Sequence, residues 1–467
     1  MLSDVHLGSD LNDLGTADTK RSVDIDHDLV ELIEHYRKAK PNGERWRLVI
    51  AGDFIDFIGM VITSERATAS SVVTEPSEEE TAHGLGNAPD HACEKMRRVA
   101  KRHANVFRAL ARFVADGHSL TLVHGNHDIE MHWQVVQNEF RASLLALAPD
   151  GTDEASFLAR IENAPWFYYV GGVAYIEHGH QYDRFCSTDH VMAPLSPIDP
   201  RRLARGFCDV LLRFVVRPTR GLSEHGHETM GVVDYVSFGV KLGLRGMVQL
   251  FLRFARAVLE LFRLRRAHLS EAARALREEH ERRMKLLSEA RRIGIDRLRA
   301  LMALQAPPVT RSISGILASV LLDRLALALG AAIALTVAAI VGIHYGHVAL
   351  PIALILVAWL IAHRYLASRR HLSPDEELVE RASHLAKLFP AAFVVMGHTH
   401  TPMKVPVAEG TATYVNLGSW AEEEAAASSP SQRAARTHLV IHPGDRGATA
   451  EFLQWDPAEG PQRFEEL

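Results

Sequence analysis

The sequence predicts an α/β fold interrupted by a long helical insertion, and three observations carry that reading. Short apolar runs recur along the chain, and several end in Asp, Asn or His. The stretches between them place apolar residues at helical spacing. In the middle of the chain both patterns give way to long basic helices, then to two uncharged apolar runs. Alternating strands and helices imply a largely parallel sheet, and such sheets gather ligands at the carboxyl ends of their strands.

Asp4-Val5-His6 reads as a strand end turning into a loop. Only three residues precede Asp4, so the first strand is expected to be cut short, or the natural start to lie upstream. Residues 26–39 set Leu29, Leu32, Ile33 and Tyr36 at helical spacing, and Pro41-Asn42-Gly43 ends that helix. Residues 47–51 read as a buried parallel strand, closed by Gly52-Asp53-Phe54-Ile55-Asp56. Residues 63–89 are rich in Ser, Thr, Glu, Gly and Pro, which predicts a mobile loop, either a lid or a plain surface insertion. A helix over 91–116 stops at Gly117, and a strand over 119–123 delivers His124-Gly125-Asn126-His127-Asp128. A helical region over 132–148 leads to residues 166–170, a Gly-Gly turn and a strand over 173–176. That strand ends in Glu177-His178-Gly179-His180-Gln181-Tyr182-Asp183.

Residues 186–383 have another character. Segment 240–304 carries long helical patterns with Leu250, Phe251, Phe254, Val258, Leu261 and Phe262 on one side. Sixteen Lys and Arg stand against seven Asp and Glu in 240–300, which suits either an anionic membrane face or a solvated helical surface. Residues 325–343 then run without a charge, long enough for a bilayer core of about 30 Å at about 1.5 Å per residue. Residues 348–362 are also uncharged and contain Pro351, which membrane helices tolerate better than soluble ones. Arg311 and Arg324 flank one outer end, and Arg364, Arg369 and Arg370 the other, while the link between the runs has no Lys or Arg. A membrane hairpin with both outer ends cytoplasmic is therefore expected, the alternative being a buried or dimerising helix pair.

After the hairpin, Ser373 and Pro374 open a helix over 374–389 with Asp375, Glu376 and Glu377 in its first turn. The apolar run Phe393-Val394-Val395-Met396 ends in Gly397-His398-Thr399-His400, where a strand would present both imidazoles on one face. Tyr414-Val415-Asn416-Leu417-Gly418-Ser419-Trp420 reads as strand and turn, and 437–441 and 450–454 as late strands. The expected organisation is thus a first α/β part at 1–185, the insertion at 186–383, a second α/β part at 384–455 and a loose tail at 456–467.

Composition narrows the classes. A formal charge of −5 gives no sign of a nucleic-acid partner. Three cysteines, Cys93, Cys186 and Cys208, fit neither a disulfide framework nor a cysteine-rich zinc site. No secretory signal opens the sequence, and no solenoid repeat is visible.

The candidate ligands, in order, are Asp4, His6, Asp53, Asn126, His178, His398 and His400. Oxygen and imidazole donors without a thiolate suit two divalent ions sharing one carboxylate: manganese first, with iron or zinc as alternatives. These five motifs in this order resemble the calcineurin-like metallophosphoesterases, over residues 1–185 and 385–425. The resemblance implies a four-layer αββα sandwich. It implies that Asp4, His6 and His400 hold one metal, that Asp53 bridges both, and that Asn126, His178 and His398 hold the second. It also implies that His127 faces the phosphate as a catalytic residue.

A hydroxide bridging two such ions would attack phosphorus in line, with His127 stabilising charge or protonating the leaving alkoxide. Asp56 and Asp128 are placed to orient ligands or His127, or else serve as a turn or helix cap. His180 is expected to line the substrate pocket. The His-Gly-His-x-x-Asp and Asn-x-Gly-Ser-Trp patterns resemble the branch containing UDP-2,3-diacylglucosamine pyrophosphatase, which implies a membrane-associated nucleotide-lipid substrate. Two departures stand against that branch: His127 where arginine is usual, and the spanning hairpin. The rival readings are a membrane-tethered general phosphodiesterase or phosphomonoesterase, and a non-catalytic scaffold, which would be expected to have lost ligands.

Overall fold

The first sheet consists of β1 (Arg47–Ala51), β2 (Ser119–Val123) and β3 (Ile161–Ala164), parallel and in that order. The second is mixed and five-stranded: β4 (Phe167–Val170), β5 (Gly172–Glu177), β6 (Ala391–Met396), β7 (Met403–Val407) and β8 (Ala412–Asn416). Its order is β4-β5-β6-β8-β7, with β5, β6 and β8 parallel. Pro406 lies in β7, at an edge where a missing N–H costs no ladder bond. A third, antiparallel sheet holds β9 (Thr437–His442), β10 (Thr449–Asp456) and β11 (Gly460–Arg463). Met1 and Leu2 join it to the first: Leu439 N donates to Met1 O (2.9 Å) and Leu2 N to Val49 O (3.1 Å). This computed structural model describes residues 1–14, 23–40, 43–65, 72–219, 237–238, 241–320, 322–345, 348–368, 374–421, 435–444 and 447–465.

The first and second sheets face each other. Val49, Ala51 and Val123 meet Ala174, Ile176, Phe393, Val395 and Val415 in one buried cluster. Alternation along β6 sends Val394 and Met396 the other way, into a second cluster with Leu298 and Leu301 of helix Ile295–Leu304 and Leu378 and Leu385 of helix Pro374–Leu388. The outer side of the first sheet packs Ile50, Leu120 and Leu122 against helices Val23–Lys38, Pro89–Arg102, Ala104–Ala115 and Gln134–Leu145. Each buried Val, Leu or Phe contributes roughly 1.5–3 kcal/mol, so a strand apolar on both faces is pinned in register. That pinning fixes where the loops after β1, β2, β5 and β6 emerge.

Several expectations are corrected. The helix expected over 91–116 is two helices, broken at His103. The His103 ring accepts from Gly8 N (3.1 Å) and bonds Asp26 Oδ2 (2.5 Å), a long-range demand that helical spacing does not display. Strand β3 escapes a search for apolar runs because Glu162 and Asn163 occupy its middle. Within 63–89, residues 66–71 lie outside the described residues. The rest includes helix Glu78–His83, closed by a capping box between Ser77 and Glu80. Glu79 pairs with Arg205 (2.6 Å) and Arg213, and Glu80 with Arg202 (2.6 Å), so this segment is clasped by the insertion. The expected loose tail contains β11: Asp456 accepts from Ala458 N and Glu459 N, which turns the chain back along β10.

The insertion contains helices Gly243–His268, Ala272–Arg291 and Ile295–Leu304 before the apolar pair. It does not stand apart, since Met284, Ile293, Leu298 and Leu301 complete the outer cover of the second sheet. Helices Leu322–Tyr345 and Ala349–Ser368 follow. Each contains a span long and apolar enough to cross a membrane, Ala326–His344 and Ala349–Leu366, of mean hydropathy 2.5 and 1.8, with almost none of either buried.

Candidate functional site

The parallel register aligns the ends of β1 and β2, so Gly52-Asp53 and Gly125-Asn126 emerge side by side. In the second sheet β5, β6 and β8 end together, which brings His178 beside Gly397, whose N–H donates to His178 O (3.0 Å). The chain after Leu2 runs along β1, with Asp4 N donating to Gly52 O (3.2 Å). Five sequence-distant segments therefore meet at one rim between the sheets.

Asp4, His6, Asp53, His398 and His400 all have left-handed backbones, with φ of 53°, 50°, 50°, 72° and 60°. Such a conformation costs a non-glycine residue on the order of 1–3 kcal/mol and persists only where its surroundings enforce it. Here Trp420 N donates to Asp4 O (3.0 Å), His398 N to Asp4 Oδ2 (3.1 Å) and His127 N to Asp53 Oδ1 (2.8 Å). Glycines make room for this density. A Cβ on Gly125 would overlap Asp53 Oδ1, and one on Gly52, itself at φ +91°, would overlap the His178 ring.

The side chains form two overlapping clusters. Asp4, His6 and His400 bring donor atoms within 4.8 Å of one another, as do Asp4, Asp53 and His178. His400 Nε2 is 3.2 Å from Asp4 Oδ1, and His6 Nε2 is 3.8 Å from both Asp4 Oδ1 and Asp53 Oδ2. His178 Nδ1 bonds Ala51 O (3.0 Å), and a carbonyl can only accept, so this nitrogen carries the proton. Its Nε2 then points at Asn126 Oδ1 (3.0 Å) and Asp53 Oδ2 (3.1 Å). Buried Asp4 Oδ1 receives no hydrogen bond. Acceptors converging on acceptors in a dry rim are what a cation satisfies, and the donor set fits a divalent ion.

Charge follows the same logic. Burial alone would raise Asp4, yet the imidazoles of His178 and His400 outweigh it and hold the carboxyl well below its usual range. Asp53 behaves likewise, through His178 and His127. Burial would lower His178, but the carboxylates of Asp53 and Asp4 lift it to about 9. A proton there does part of what a bound cation would do.

Strand geometry predicts that His398 and His400 share a face, but both lie beyond the strand with positive φ and diverge. His400 turns to Asp4, whereas His398 Nε2 lies 3.1 Å from Asp183 Oδ2, its ring 5.2 Å from that of His178. Asp183 is the site residue that sequence reasoning quoted in a motif but did not assign. Its signal was the spacing His178 to Asp183, and its carboxylate aims the His398 ring. Asn416 has a similar part, donating to Gly397 O (3.0 Å) and Thr399 Oγ1 (2.8 Å) and so shaping the turn that carries both histidines.

His127 Nδ1 bonds Asp56 Oδ1 (2.7 Å), and its ring stands edge-on to His6 at 4.6 Å. Asp56 also accepts from Gly59 N (2.6 Å); His127 outweighs burial and holds its carboxyl low. Asp128 touches neither imidazole. It accepts from Gly125 N (2.6 Å) and Phe54 N (2.9 Å), tying the β1 and β2 loops together, and burial beside the Asp53 charge pushes it up to about 7. His180 is buried, bonded to Gln181 Nε2 (2.8 Å), and lines a cavity with Asn126, Lys95, Glu130, Cys186 and Cys208. Burial and neighbouring His178 keep it well below the usual imidazole range.

Compared with known proteins, the chain matches no family model and no curated protein.

Proposed function

We propose that the chain is a binuclear metal-dependent phosphoesterase, cleaving a phosphate ester or pyrophosphate bond. One observation carries the reading: Asp4, His6, His400, Asp53 and His178, from four sequence-distant motifs, form two overlapping donor clusters sharing Asp4, with Asn126 bonded to His178 and the His398 ring 5.2 Å from it. Facing sheets with helices on both outer sides support the four-layer metallophosphoesterase sandwich as the finer description of the fold. Asp4, His6 and His400 would hold one ion, and Asn126, His178 and His398 a second, with Asp53 shared. When bound, divalent ions of this kind, manganese foremost, supply Lewis acidity toward water and phosphoryl oxygens.

The remaining work falls to the chain itself. Asp56 accepts the Nδ1 proton of His127, so Nε2 is the atom to meet a phosphoryl oxygen or hand a proton to the leaving alkoxide. Asp183 holds His398 at Nε2 (3.1 Å), which would leave Nδ1 as the ring nitrogen to ligate a metal. Dense burial of Asp4, Asp53 and His178 keeps bulk water from screening the charges.

A hairpin crossing the membrane, with the site on the cytoplasmic side, fits the arginines at its outer ends and the uncharged link. A lipid-linked substrate is the corresponding proposal, and a cavity running from Asn126 and His180 toward the insertion supports it. The test uses detergent-solubilised protein, metal analysis, and bis(p-nitrophenyl) phosphate, p-nitrophenyl phosphate and a UDP-lipid side by side. Asp53→Asn is expected to lose bound metal and to lower turnover by on the order of 10²- to 10³-fold. Parent-like hydrolysis by that variant would remove the assignment, and turnover of the simple esters alone would remove the lipid substrate.

A further inference from the structure

The basic helix Gly243–His268 buries one side and leaves an apolar stripe bare on the other. Leu250, Ala257, Leu261 and Leu264 are buried, packed with Val210, Val215, Val309 and Ile316. Leu244, Met247, Val248, Phe251, Leu252 and Leu259 are exposed, Leu244 by 76% and Phe251 by 64%. At about 100° per residue these six cover an arc of roughly 140°, with the buried positions on the opposite side. Arg245, Arg256 and Arg263, all exposed, fall along one edge of that arc. No Asp or Glu occurs from 241 to 259. A solvated face would carry charge at its centre; over 244–259 this one carries leucine and phenylalanine there and arginine at its border, and only in the last turn does an exposed Arg266 come into line with the stripe.

We infer that this helix lies along an anionic lipid surface, with its apolar stripe sunk at the headgroup–acyl boundary and Arg245, Arg256 and Arg263 level with lipid phosphates. Two further facts favour a bilayer as the occupant. Ile316, in the same buried cluster, belongs to helix Ile313–Ser319, which packs on the first apolar helix, so the basic helix is tied through its buried side to the start of the hairpin. The charge is one-signed from 241 to 259, and the helix's one carboxylate, Glu260, lies 3.4 Å from Arg263, so the helix is strongly positive overall, as an acidic membrane face requires and a second copy of the same surface would not. The consequence for the site follows from packing. Cys186 and Cys208 belong to this cluster and also line the cavity reached by Asn126 and His180. The cavity wall and the lipid-facing helix are thus one packed unit, and seating the helix presents the cavity to headgroups. Only this last step rests on the hydrolase reading.

The experiment uses the full chain in nanodiscs of phosphatidylcholine, alone or mixed with phosphatidylserine. Phe251→Cys and Leu259→Cys carry an environment-sensitive nitrobenzoxadiazole label, with Glu278→Cys on the neighbouring exposed helix as control. The parent, whose three cysteines are buried, is the labelling blank. Labels at 251 and 259 should brighten several-fold, shift to the blue and be quenched by shallowly brominated lipid, while the label at 278 stays unchanged. Combining Arg245→Glu, Arg256→Glu and Arg263→Glu should diminish the response in phosphatidylserine discs. A label at 251 that remains in water within lipid-bound protein overturns the inference. So does shielding that appears without lipid as protein concentration rises, since a second copy would then be the occupant. Equal responses in both lipids and in the triple variant overturn its electrostatic part. Ester hydrolysis, assayed separately, fails or succeeds independently of these readings.

Discussion

Asp56 sets how His127 is presented, and the two can be separated by experiment. Asp56→Asn keeps an oxygen for Nδ1 but removes the charge, so turnover should fall about 10- to 100-fold while bound metal stays at the parent level. Loss of metal together with activity would mean that Asp56 serves the clusters rather than the imidazole. A second residue reports on stability alone. His438 is buried in β9, bonded to the Tyr36 hydroxyl (2.8 Å), and burial pushes it down to about 3. Its folded value lies below the unfolded one, so stability is complete above about pH 6.5 and falls by about 1.4 kcal/mol per pH unit as pH drops below it. His438→Gln, which keeps a partner for Tyr36, should lack that contribution. Urea unfolding at pH 7 and pH 5 measures it, and an unchanged acid dependence would place the sensitivity elsewhere.

At the scale of elements, each candidate ligand sits just past a strand or beside one, and the strands were readable because they are buried. Residues 119–123 were placed without error, since apolar runs bounded by turn signals have few other uses. Strand β3 and the break at His103 were not readable: the first is a polar edge, the second a response to Gly8 and Asp26. The glycines before Asp53 and Asn126 are the least replaceable parts of the loops. Gly125→Ala forces a methyl group against Asp53 Oδ1, at a cost on the order of 1–3 kcal/mol, and should weaken metal retention as well. A variant with parent unfolding midpoint and metal content would show that the β1 and β2 loops can part without penalty.

For the whole molecule, the insertion has two parts with different tasks. Residues up to Leu304 finish the cavity wall and the outer cover of the second sheet, whereas Leu322–Tyr345 and Ala349–Ser368 pack chiefly on each other and leave their apolar sides bare. Replacing 322–368 with a short glycine-serine linker should therefore spare folding and hydrolysis of bis(p-nitrophenyl) phosphate. It should also convert membrane attachment from salt-resistant to salt-released, because surface-bound helices depend on screened charge. Fractionation before and after a high-salt wash decides this; attachment that resists salt without the hairpin would sink the proposed division of tasks.

Local chemistry was written in the one-dimensional record. Apolar runs marked where most of the strands end, and the residues near them supplied the seven candidate donors, because burial demands particular side chains at particular spacings. Direction was not written there. Left-handed backbones at five of those donors, the turn of His398 toward Asp183, and the division of Asp56 and Asp128 between an imidazole and two loops all depend on contacts between segments from 71 to 394 residues apart. Strand pairing within each sheet brings Asp56 to His127 and Asp183 to His398, and packing of the two sheets brings His178 to Asp53, so that one segment imposes a conformation on another.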